Sequence, residues 1–233
     1  MLGGVNYYTG QVFDMKAISA AAHAVGAYAG FDLAHAAGNL HLQLHDWDVD
    51  FAVWCTYKYL NSGPGGTSGV FVHQRHENSE LNRFAGWWGH DEGERFQMKK
   101  GFKAIAGAQG WQLSNAQIFP MAIHKASLEM FAKAGIENLR AKSELLTGYL
   151  EFILNDFSEF LTVITPKNKE ERGCQLSIIV KENGKQLFDF LENENIMPDW
   201  REPDVIRMSP VPMYNTFEDV YLIGEALKKY FTS

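Results

Sequence analysis

Hydrophobic and polar positions along this chain change rhythm more than once. Asp14 stands as a helix cap before a run carrying Ala17, Ala20, Ala21 and Ala24, small residues that allow close packing on a sheet. A helix is therefore expected from Met15 to about Ala27, followed by a strand from Ala27 to Leu33. Leu40, Leu42 and Leu44 then alternate with His41, Gln43 and His45, which fits a short strand or a helical turn. Phe51–Cys55 is a short apolar run rich in aromatic and β-branched residues, the pattern of a buried strand. Gly69–His73 reads as its hairpin partner or neighbour.

From Gln74 to Gly110 the pattern lapses into a polar, glycine-dotted stretch, expected to be a long surface excursion, either functional or disordered. Helical spacing returns over Gln117–Lys133 and Ile136–Asn155. In the second of these, Leu139, Leu145, Leu146, Leu150 and Ile153 make a broad apolar face. Shorter elements follow: strands at Phe160–Ile164 and Cys174–Val180, a helix at Lys185–Glu194, a strand at Val205–Met208 and a helix at Phe217–Phe231. That succession indicates a small α+β domain from about residue 144 to 233, after an α/β portion spanning 1–143. No internal repeat or low-complexity tract interrupts the chain.

Composition narrows the class. With 233 residues, 46% of them apolar, the chain can bury a substantial core as one large or two small domains. A formal charge of -7 argues against a nucleic-acid partner and offers no basic face to a lipid surface. Two widely separated cysteines, Cys55 and Cys174, lie in apolar runs and read as buried reduced thiols. There is no membrane-length apolar run, and Met1–Gly4 is no signal peptide. The expectation is a soluble, cytoplasmic protein.

The candidate chemistry lies at two strand ends. The Phe51–Cys55 strand delivers Lys58, flanked by Tyr57 and Tyr59 and followed by Ser62-Gly63-Pro64-Gly65-Gly66. A lysine at the end of a buried strand is expected to be poorly solvated, which favours its neutral amine, a nucleophile able to hold a carbonyl as a Schiff base. Asp32 sits near the end of the preceding strand, and ligands of open α/β sheets bind outside the carboxyl ends of strands. An amine and a carboxylate on one pocket floor are what pyridoxal phosphate requires: the amine for its aldehyde, the carboxylate to keep its ring nitrogen protonated.

The segments Tyr8-Thr9-Gly10-Gln11, Gly30-Phe31-Asp32-Leu33-Ala34-His35-Ala36, His45-Asp46-Trp47 and Tyr57-Lys58-Tyr59-Leu60-Asn61 resemble kynureninase. The resemblance continues, in the family's order, through Gly86-Trp87-Trp88-Gly89-His90, Ser114-Asn115, Glu171-Arg172-Gly173-Cys174-Gln175-Leu176 and Ile206-Arg207-Met208-Ser209-Pro210-Val211-Pro212. It implies the C-terminal part of a type I pyridoxal-phosphate fold, comprising a portion of the large sheet domain and the small domain. Lys58 would be the Schiff-base lysine and the base at Cα. Tyr57 would contact the phosphate and assist proton transfer, Asp32 would hold the pyridinium, and His35 would touch the cofactor. Arg207 would clamp the substrate α-carboxylate, a task suited to a bidentate fork. Asn115 with Ser114 would read the substrate's aromatic ring, and Asn115 and Trp87 would reach the cofactor site across a homodimer interface.

The activity so implied is hydrolytic cleavage of the Cβ–Cγ bond of L-kynurenine or 3-hydroxy-L-kynurenine. Products would be anthranilate or 3-hydroxyanthranilate plus L-alanine, in tryptophan catabolism and NAD biosynthesis. The resemblance begins partway through the family's large domain, so the chain is expected to be a fragment, a truncated product or half of a split protein. Gly3 stands where the family usually has a small hydroxyl residue. Other type I lyases, such as cysteine desulfurases, would need a cysteine on a mobile loop; a catalytically silent chain that only dimerises is a further alternative. No metal is expected: His41 and His45 have helical ligand spacing, but no zincin glutamate accompanies them. The glycine loop lacks the Lys-Ser/Thr of a Walker loop.

Overall fold

The computed structural model describes residues 1–232. It divides into two compact units. The first comprises residues 1–4, 14–37 and 42–130, and the second residues 5–13, 38–41 and 131–233. The changeover falls between Met130 and Phe131, upstream of the position near 144 that the change in sequence rhythm marks. The second unit also takes in two short segments from the N-terminal part, which no composition shift announces.

In the first unit, strands β1 (Leu2–Gly3), β2 (Gly30–Asp32), β3 (Phe51–Cys55) and β4 (Ser68–Val72) lie side by side in that order. β1, β2 and β3 are parallel, and β4 returns antiparallel to β3. Helix α1 (Met15–Ala24) makes the crossover from β1 to β2. The Asp14 carboxylate caps it by accepting from the Ala17 N–H at 2.9 Å, as the sequence pattern requires. Phe31, Leu33, Val49 and Ala52 are fully buried and hold β2 and β3 together. Gly30 lies close against the Phe51 ring, which a Cβ there would meet at 2.1 Å. β2 is shorter than the expected Ala27–Leu33 strand, and Leu40–His45 forms neither a strand nor a helix.

Helix α2 (Ile118–Ala134) runs across the changeover and buries only Ser127. Ile118, Phe119, Ile123 and Met130 are all exposed on it. A helix apolar all round is ordinarily a covered one.

In the second unit, α3 (Ile136–Asn155), α4 (Gly184–Asn193) and α5 (Phe217–Thr232) accompany a sheet of β5 (Leu161–Val163), β6 (Leu176–Val180), β7 (Asp199–Arg201) and β8 (Val205–Met208). The strand order is β5-β6-β8-β7, antiparallel throughout. Its core joins Leu146, Leu150 and Leu154 of α3 to Leu176 and Ile178 of β6, Leu187 and Leu191 of α4, Ile206 of β8 and Leu227 of α5. Leu145, counted on the apolar face by its spacing, points outward instead. Segment 5–13 is fastened to this unit by backbone bridges and side chains. Gln11 pairs with Arg172, Thr165 Oγ1 donates to the Thr9 carbonyl at 2.6 Å, and Tyr8 Oη donates to Asp204 at 2.7 Å. That last bond, the Asp204 charge and burial push the Tyr8 hydroxyl up to about 12. The Glu171–Cys174 motif is structural: Arg172 is buried against Glu151 at 2.7 Å, and the Cys174 N–H donates to Asn39 Oδ1 at 3.0 Å.

Candidate active site

Beyond β3 the chain leaves the sheet and turns tightly, and Lys58 stands on that turn. Ser62 N–H donates to the Thr56 carbonyl at 3.0 Å, and the Thr56 and Ser62 hydroxyls lie 2.7 Å apart. Gly66 passes so close that a Cβ there would meet Ser62 Oγ at 2.0 Å, while Gly63 and Gly65 take positive φ. Ser127 of α2 donates its hydroxyl to the Leu60 carbonyl. The lysine's backbone is thereby fixed from both the glycine loop and the neighbouring helix.

Lys58 Nζ lies 3.2 Å from His35 Nε2, within hydrogen-bonding distance. Lys58 is half-buried and stands beyond the strand rather than within it. His35 sits on the turn after β2, where buried Leu33 and Ala36 anchor the chain on either side, and its ring meets Tyr59 edge-on at 5.9 Å. Asp32 ends β2 between Gly3 of β1 and Val53 of β3. Its carboxylate is exposed and accepts from the Ala34 N–H at 2.8 Å. Position 3 is thus Asp32's cross-strand neighbour, so the glycine there leaves that side without a hydroxyl.

Tyr57 is 51% exposed, not a core aromatic. Its hydroxyl is raised above the usual phenol value by a hydrogen bond with Cys55, then by the adjacent Cys55 and Asp32 charges and partial burial. Cys55 is accordingly only half-buried, and Cys174 fully so; no disulfide joins them.

Trp87, Ser114 and Asn115 are exposed, and the backbone brings their segments together. Gly86 and Gly89 press on the strand-like stretch before Ser114: a Cβ on Gly86 would lie 2.3 Å from Leu113 Cα, and one on Gly89 would lie 2.8 Å from the Gln112 carbonyl. The Trp87 ring packs against Phe96 at 5.8 Å. The long excursion is therefore ordered by glycine contacts.

Arg207 belongs to the second unit, on β8 between Ser177 of β6 and Asp199 of β7. It is 9% exposed. Its Nε donates to Asp199 Oδ2 at 2.5 Å, with Nη2 on the same oxygen, and Nη1 donates to the Tyr7 carbonyl at 2.7 Å. Sequence reading found the arginine and missed this carboxylate, because β7 is three residues long and carries no periodicity.

Asp50, immediately before β3, also escaped attention as a functional-looking residue. Its carboxylate accepts from the Ala29 N–H at 2.6 Å, and its oxygens lie 2.8 Å from His23 Nε2, 2.7 Å from His76 Nε2 and 3.0 Å from Arg75 Nε. Burial alone would raise this acid, but those four partners outweigh it and hold it down at about 2. The cluster lies at the opposite end of β3 from Lys58. It fixes α1, β2 and the Gln74–His76 turn to the sheet. His45 stacks on His73 at 4.7 Å.

The donor set in the first unit suits the two ends of pyridoxal phosphate that the sequence assigns: an exposed carboxylate on β2 and an accessible amine after β3, on adjacent parallel strands. Residues 139–227 match the model of the kynureninase C-terminal domain. A kynureninase from Flavobacterium psychrophilum is 56% identical over 98% of this chain and 55% of its own length. One from Myxococcus xanthus is 55% identical over 98% of this chain and 54% of its own.

The chain belongs to the kynureninase family. It spans about half the length of the curated relatives it matches. The structure is similar to that of a cysteine desulfurase from Escherichia coli, with a TM-score of 0.80 over 99% of this chain and 58% of that one. At 16% identity that likeness speaks for the fold, which is the α/β fold of type I pyridoxal-phosphate enzymes. Among the described residues, no helix is long and apolar enough to cross a membrane.

Proposed function

We propose that this kynureninase-family chain supplies the lysine-bearing part of a pyridoxal-phosphate site that cleaves L-kynurenine or 3-hydroxy-L-kynurenine hydrolytically at Cβ–Cγ, giving anthranilate or 3-hydroxyanthranilate and L-alanine. The observation that carries the reading is Lys58 at the end of β3, next to the strand ending in Asp32, with His35 Nε2 at 3.2 Å. When bound, pyridoxal phosphate supplies an electron sink for the carbanion left at Cα. Lys58 would hold that group through its amine and would move the proton at the substrate's Cα. Asp32 keeps a ring nitrogen protonated beside it. His35 holds the Lys58 amine in position. Tyr57, a phenol and therefore protonated near neutral pH, is the acid for Cβ. Arg207 takes the substrate carboxylate, Ser114 and Asn115 face its aromatic ring, and Trp87 contacts the phosphate. We place the working form as a homodimer with shared sites and the setting as the cytoplasm, in tryptophan catabolism.

The test is the visible absorbance of the purified chain with added pyridoxal phosphate. A new band is expected, absent from Lys58→Ala, together with release of anthranilate from kynurenine. A second reading is favoured by α2, whose apolar residues stand exposed all round. On that reading the chain binds cofactor only when a further polypeptide covers this helix, and the folded chain alone gives no band.

A further inference from the structure

We propose that Asp199 is the positioning residue for Arg207, holding its guanidinium so that one edge of the fork faces an incoming carboxylate. This rests on the reading of Arg207 as the substrate's carboxylate clamp. A guanidinium has five N–H donors in a fixed plane. Here Nε and one Nη2 hydrogen are taken by Asp199 Oδ2, and one Nη1 hydrogen by the Tyr7 carbonyl. One N–H is left on each terminal nitrogen, and that pair is what a carboxylate bridges bidentately.

Three further contacts distinguish this arrangement from an ordinary sheet-surface ion pair. The Tyr7 carbonyl also accepts from Gln175 Nε2 at 3.0 Å, and Gln175 in turn reaches Ser177 Oγ at 2.9 Å, so the acceptor for Nη1 is itself held. Asp199 offers its other oxygen to Arg201 Nη1 at 3.3 Å. One carboxylate thus serves two guanidinium groups and leaves the trio with a net positive charge. Arg207 is oriented without being neutralised, which a closed one-to-one pair would not achieve. Asp199 is half-exposed on the edge strand β7, where an exchange of its side chain disturbs little packing.

The experiment is side-chain Nε–H spectroscopy of the full chain by ¹⁵N nuclear magnetic resonance, with the Arg207 signal assigned by its loss in Arg207→Lys. In the unaltered protein that N–H should exchange slowly. In Asp199→Asn it should exchange about tenfold faster, the loss expected for one charge-assisted hydrogen bond, and Asp199→Glu should restore much of the protection. Titration with L-kynurenine should shift the signal, its carboxamide should not, and Asp199→Asn should need about tenfold more kynurenine. Equal protection, or equal kynurenine affinity, in Asp199→Asn and the unaltered chain would overturn the positioning role while leaving Arg207 as the clamp. A signal held by Asp199 but indifferent to kynurenine throughout would overturn the carboxylate reading of Arg207 itself, and this proposal with it.

Discussion

Asp50 is the residue on which pH acts most directly. Its carboxyl sits at about 2 in the folded chain, against an ordinary value of 3.8. A group depressed by folding stabilises the native state above its unfolded pKa and loses that contribution as pH falls through its folded one. The effect is therefore complete above about pH 4 and lost toward pH 2, and amounts to about 2.5 kcal/mol. Urea unfolding followed from pH 5 to pH 2 should show that decline in the native chain and a flatter profile in Asp50→Asn; parallel profiles would dismiss the assignment. Gly30 offers a steric counterpart. Gly30→Ala places a methyl 2.1 Å from the Phe51 ring, which must swing aside, at a cost of about 1–3 kcal/mol. An unchanged denaturation midpoint would contradict it. Asp32 and Lys58 stood out as candidates because an acid and an amine at neighbouring strand ends are visible in one dimension, and Arg207 because its segment resembles the family's. Asp199 did not, since its meaning comes from facing Arg207 across two strands.

Among the elements, α3 separates two leucines that spacing treats alike. Leu150 is fully buried in the core of the second unit, whereas Leu145 faces outward. Leu150→Ala should cost about 2–5 kcal/mol by leaving a cavity. Leu145→Ala should stay within about 0.5 kcal/mol, as exposed substitutions do. Equal losses in thermal or chemical unfolding would mean the apolar face is wider than the fold places it. The long elements were legible because they satisfy their own hydrogen bonds and present a sustained period: α3, β3 and β8 fall on the residues their patterns mark. β1 and β7, two and three residues long, carry no period to read. The expected strand over Ala27–Leu33 is shortened because only Gly30–Asp32 pairs along β3, and only Phe31 and Asp32 pair with β1 as well.

For the whole molecule, the exposed apolar side chains of α2 and of the Phe84–Phe96 loop are the feature that calls for a partner. Large contiguous apolar surface on a folded chain marks an interface. With a second copy as the occupant, sedimentation should show concentration-dependent association that Phe119→Ser combined with Ile123→Ser weakens by about tenfold or more, the effect of removing two buried apolar anchors. A monomer at every concentration would refute the homodimer reading for this chain.

Sequence by itself determined the helices with sustained periodicity, the apolar strands and the family, and singled out a candidate amine and acid, since all of these are local patterns of side-chain chemistry. Tertiary structure alone decided which groups face one another. It set His35 against Lys58, Cys55 against Tyr57 and Asp199 against Arg207, gathered four partners around Asp50, and attached segment 5–13 to the second unit. Apart from Cys55 with Tyr57, those pairings are made by hydrogen bonds between groups carried on different strands, turns and segments. Their geometry depends on strand register and turn closure, which no local pattern of side chains specifies.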